Sequence, residues 1–83
     1  MTEKRQFRGS PLSGAVDAAT REYLETLKGH SVTDLYDLVL SEVEAPLLSC
    51  VLEFAGNNQS EAARMLGLSR GTLRKKMRRY RLL

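Results

Sequence analysis

Six cations fall within ten consecutive residues near the C-terminus: Arg70, Arg74, Lys75, Lys76, Arg78 and Arg79. No acid is interleaved, so the chemistry they offer is the capture of a polyanion through charge-assisted hydrogen bonds. Residues 57–83 carry eight Lys or Arg against Glu61 alone, about +7, whereas residues 1–56 carry five bases and nine acids, about −4. Such segregation implies two jobs, an acidic body and a basic end that meets a polyanion. Covalent chemistry has little to work with. Cys50 and His30 are each single, and neither has a partner at catalytic or metal-ligand spacing. No enzyme activity, metal or cofactor is expected. His30 reads as a solvated loop residue and Cys50 as a small buried hydrophobe.

The elements that must hold those cations can be read from residues 58–80, NQSEAARMLGLSRGTLRKKMRRY. Ala62, Ala63 and Leu66 share one face of a short helix, a tight turn follows at Gly67-Leu68-Ser69, and Leu73, Met77 and Tyr80 mark the inner face of a second helix. Two helices joined by such a turn make a helix-turn-helix, whose second helix fits a DNA major groove. Asn58, with Glu61 three residues on, caps the first helix, and Ser69 caps the second. In this arrangement Arg70 faces base edges, its fork matching the O6/N7 pair of guanine. Gly71 leaves room for close approach, and Asn58 and Thr72 reach phosphate oxygens. Arg74, Lys75, Lys76, Arg78 and Arg79 supply salt-sensitive affinity. A basic amphipathic helix can also lie on a membrane, but the apolar stripe here is narrow and is needed for the core.

Upstream, residues 1–10 read as a disordered tail, 11–56 as a helical dimerisation core and 57–83 as the helix-turn-helix unit. Ser10-Pro11 starts a helix, with Leu12, Ala15, Val16, Ala19, Tyr23 and Leu27 on its apolar face, and Lys28-Gly29 ends it. The short link that follows predicts an antiparallel neighbour. That neighbour opens at Thr33 or Asp34 and runs to about Ala55. Tyr36, Val39, Leu40, Val43, Leu47, Cys50, Val51 and Phe54 fill one face, while Leu38, Ala45, Leu48 and Leu52 lie among the acids of the other. A helix apolar on more than one side is wrapped by several elements, and 83 residues bury little on their own. The expected remedy is a two-fold dimer whose interface includes Leu38, Val39, Val43, Pro46, Leu47, Leu48, Val51 and Leu52. Pro46 should kink this helix without breaking it, because the apolar face keeps phase across it.

The 58–80 segment, preceded by SVTDLYDLVLSEVEAPLL, resembles the bacterial factor for inversion stimulation (Fis) family over residues 11–80. A similar C-terminal segment ends nitrogen-regulator-type enhancer-binding activators; the proline-containing helix and a start at Met1 without an ATPase domain favour Fis. The resemblance implies an all-α fold of four helices per chain, with central helices paired in an intertwined homodimer. It also implies reading helices closer together than one turn of straight B-DNA, so that the duplex bends and specificity comes largely from groove shape. On this resemblance Arg70 reads bases, while Asn58, Ser60, Thr72, Arg74 and Lys75 fall on other DNA-contacting positions. Ser69 stands where the family often has asparagine, which would relax base preference near the site's edge. The partners implied are double-stranded DNA and a second copy, with RNA polymerase a further candidate and no membrane. Recombinase contact is not expected, because the residues before Pro11 are too few for the family's N-terminal arm and lack a strand pattern.

The resulting expectation is a cytoplasmic, nucleoid-associated, DNA-bending transcriptional regulator. Two alternatives stand beside it: the DNA-binding module of an enhancer-binding-type regulator, and a helical protein-interaction adaptor whose acidic body docks a partner.

Overall fold

The computed structural model describes residues 10–83; the expected disordered tail, apart from Ser10, and the expectation about an N-terminal arm fall outside them. The fold is all-α, with four helices in the described residues: α1 (Pro11–Thr26), α2 (Leu35–Phe54), α3 (Gln59–Leu66) and α4 (Arg70–Arg79). Two compact units divide between Leu35 and Tyr36. In the first, the Ser10 side chain accepts from the Ser13 N–H and Pro11 occupies the opening turn of α1, as a capped proline start requires. The backbone leaves the helix through Gly29, at φ 88°. No residue of α1 is buried, so its apolar face has no cover within this unit.

The second unit is built on α2. Asp34, at φ 56°, is left-handed rather than extended, so the helix begins one residue later than the sequence suggests. Pro46 lies inside the helix, which runs on through it. The missing N–H leaves the Glu42 carbonyl to solvent, a small cost because Glu42 is exposed. Two short helices then fold back onto the C-terminal half of α2. Leu48 and Leu52 from α2, Ala62 and Ala63 from α3, and Leu73 and Met77 from α4 form a single buried core, flanked by Val51, Ala55, Leu66, Tyr80 and Leu82. The two alanines matter because a larger side chain would hold the helices apart. Burying leucines of this kind stabilises by roughly 1.5–3 kcal/mol each.

Turn chemistry fixes the crossing. Asn58 accepts from the Glu61 N–H at 3.1 Å and opens α3. Gly67, at φ 74°, ends it, with the Leu68 N–H bonded to the Ala63 carbonyl at 3.0 Å and the Gly67 N–H to Arg64 at 3.2 Å. That paired pattern is a Schellman cap, which satisfies two orphan carbonyls and reverses the chain in three residues. Ser69 then accepts from the Thr72 N–H at 3.1 Å and starts α4.

Candidate nucleic-acid interface

α4 lies with Leu73 and Met77 sealed in the core, so the rest of its circumference is presented outward. Arg70, Gly71, Thr72, Lys75, Arg78 and Arg79 are all exposed, and Arg74 is half-buried. The first turn therefore shows an arginine, a glycine and a threonine, and the later turns show cations. A Cβ added at Gly71 would meet nothing within 4 Å. Packing inside the chain does not call for glycine at this position, although glycine weakens a helix.

At the start of α3, Ser60 is exposed and Asn58 spends its side-chain carbonyl on the Glu61 N–H, which leaves its amide N–H groups as the donors it can offer. Ser69 is more committed. Besides capping α4, its hydroxyl donates to Thr72 Oγ1 at 2.9 Å, so both side chains serve the turn first.

Two side chains absent from the sequence-derived site, Gln59 and Glu44, hold the basic helix in place. Arg74 Nη1 donates to Gln59 Oε1 at 2.6 Å, tying α4 to the first residue of α3. Lys76, expected to supply salt-sensitive affinity for DNA, turns towards α2. Its Nζ donates to Glu44 Oε2 at 2.8 Å, while the Tyr80 hydroxyl donates to Glu44 Oε1 at 2.5 Å. Lys76 is thus engaged within the chain, because it sits beside the buried Met77 and within reach of a carboxylate. These bonds, Lys76 first and Tyr80 second, hold the Glu44 carboxyl below the ordinary range. The bond to Glu44, together with partial burial, pushes the Tyr80 hydroxyl up. Arg64 pairs with Glu61 along α3, and the Arg79 guanidinium lies 5.7 Å from the Tyr80 ring centroid.

The face assigned to self-association also needs redrawing. Leu48 is 1% exposed within its own chain and Leu52 is buried beside it, both against the helix-turn-helix. They have no surface left for a second subunit; the expectation counted them as apolar without knowing which element they meet. Val51 flanks the same core, Val39 and Val43 are half-buried, and Leu38, Pro46 and Leu47 are exposed. Cys50, expected to be buried, is exposed. It belongs to a row on α2 formed by Tyr36, Leu40, Val43, Leu47, Cys50 and Phe54, spaced by alternating steps of four and three. Tyr36 is 74% and Phe54 82% exposed.

Among the described residues no group of His, Cys, Asp or Glu could hold a metal ion, and no helix is long and apolar enough to cross a membrane. A cationic second helix on an alanine-lined crossing defines the helix-turn-helix class. Residues 39–80 match the family described as bacterial regulatory protein, Fis family. The chain is 54% identical to the DNA-binding protein Fis of Aeromonas hydrophila over 70 residues, covering 84% of this chain and 71% of that protein. It is 46% identical to the DNA-binding protein Fis of Vibrio cholerae over 80 residues, covering 96% and 82%. The chain belongs to the Fis family.

Proposed function

We propose that two copies of this chain associate through the outward row of α2 and bind double-stranded DNA with their α4 helices in major grooves, bending the duplex and regulating transcription from it. The observation that carries this reading is the division of α4 into a sealed apolar face and an exposed face of Arg70, Gly71, Thr72, Lys75, Arg78 and Arg79. Arg70 at the helix start reads a base edge. Lys75, Arg78 and Arg79 meet phosphates with Arg74, Asn58, Ser60 and Thr72 beside them. The 4-3 spacing on α2 is the seam along which two helices pack, and pairing would cover the large apolar side chains left in solvent. The relatives' printed name says that they bind DNA, which supports the same ligand here and, with it, action at the nucleoid.

The test is a titration of duplex DNA across a salt series, with the binding site moved along probes of constant length. The expected result is two chains per site, log Kobs falling by about 0.9 per phosphate contact against log salt, and migration that depends on site position. Binding that is insensitive to salt, or a complex that migrates as straight DNA, would overturn it.

A further inference from the structure

The three polar groups at one end of the α2–α4 contact carry an inference that deepens this DNA-binding reading and rests on it. Glu44, Leu48 and Leu52 recur at steps of four on α2, and the two leucines reach into the core shared with α4. Glu44 continues that row past the apolar patch. On α4, Lys76 and Tyr80 likewise stand one turn apart beside Met77. Both carboxylate oxygens are engaged, one by each partner, and the partners lie 32 and 36 residues away in sequence. The Lys76 and Glu44 side chains are only 28% and 27% exposed, so this pair is less screened than one standing free in solvent.

We propose that Glu44 is a positioning residue for DNA binding: it fixes the angle of α4 on α2 through Lys76 and Tyr80, and Lys76 is an anchor rather than a phosphate ligand. Moving the ammonium to a phosphate would strand a partly buried carboxylate close to a second anion. The same carboxylate repels the DNA backbone from this flank of α4, which leaves the flank of Lys75 and Arg78 to face it. Since α2 also carries the pairing row, a carboxylate that ties α4 to α2 sets the gap between the two reading helices of a dimer. The clamp thereby acts on bending as well as on affinity.

The experiment measures DNA affinity over a salt series, bend angle and thermal melting for the wild-type chain, Glu44→Gln, Lys76→Gln, the double variant and, as a phosphate-ligand control, Lys75→Gln. Lys75→Gln should lower the salt slope by about 0.9 per subunit. Lys76→Gln and Glu44→Gln should each weaken binding about three- to tenfold and change the bend angle, with the slope held at the wild-type value. The double variant should be no worse than either single one, the signature of a shared interaction. The proposal is overturned if Lys76→Gln lowers the slope as Lys75→Gln does, or if Glu44→Gln tightens binding by releasing the lysine. If the variants melt too readily to bind, the carboxyl-carbon NMR signal of Glu44 in isotope-labelled wild type decides: it should stay in place when DNA is added, and a shift to the position of an unbonded carboxylate overturns the proposal. Wild type that fails to bind DNA at every salt concentration would instead sink the function reading itself, and the inference with it.

Discussion

The Arg74 guanidinium donates from Nη1 to the side-chain carbonyl of Gln59 at 2.6 Å, so the two helices of the helix-turn-helix are tied by a polar bridge as well as by their core. A guanidinium keeps further N–H donors after one is used, and Arg74 can grip Gln59 and a phosphate together. Gln59→Ala should therefore weaken DNA binding by about threefold to tenfold, the value of one net hydrogen bond near 1 kcal/mol, with the salt slope unchanged. Arg74→Ala should weaken it further and lower the slope. Equal slopes for Arg74→Ala and wild type would show that the arginine serves only the bridge.

Gly71 separates folding from binding. With nothing within 4 Å of an added Cβ, Gly71→Ala should raise helix stability by up to about 1 kcal/mol, read as a higher melting temperature. If the α4 start lies against DNA, the same methyl should reduce affinity. A variant that is more stable and binds as well as wild type would remove Gly71 from the interface.

The core has no redundancy. Leu73 is 0% exposed and shares its cluster with Leu48. Leu73→Ala or Leu48→Ala should each cost about 2–5 kcal/mol, a large fraction of what a small domain possesses. Circular dichroism melts should show the loss, and DNA binding should fall with folded fraction. A melt within a few degrees of wild type would contradict the packing.

Much of this was legible in the sequence because it is local. Ser10-Pro11, Asn58 and Ser69 announce caps through residue type alone, and the structure uses each in that role, with Gly67 in the expected turn closing α3. Ala62, Ala63, Leu73 and Met77 follow helical period and line the core. Longer-range relations were not legible. Periodicity marks α2 as apolar on two sides but does not say which side meets α3 and α4, so it does not reveal that Leu48 and Leu52 pack inside the chain while Cys50 is exposed. Glu44 looked like one acid of a wet face. Its bonds to Lys76 and Tyr80 depend on how two helices cross, which no spacing within either helix encodes.

Acid should loosen the α2–α4 contact. Glu44 titrates below its ordinary value of 4.5, so the stability it contributes is present above that value and is lost as pH falls through the lowered one. Tyr80 runs the other way. Its hydroxyl titrates above 10.0, and its contribution, full below that pH, fades as pH rises through the raised value. Melting temperature plotted against pH should fall below about pH 4.5, and Glu44→Gln should flatten that limb. An acid limb unchanged in Glu44→Gln would locate the loss elsewhere.

The pairing of two chains through the outward row of α2 is tested most directly by sedimentation of the protein on a short duplex carrying one site, for wild type and for Leu47→Glu. Leu47 is exposed in the single chain and lies at the middle of that row, so a charge there should spare the fold and break the pair. The expected result is two chains per duplex for wild type, and single chains with DNA binding largely lost for Leu47→Glu. Wild type sedimenting as one chain at low concentration, yet still bound to its site, would contradict the account.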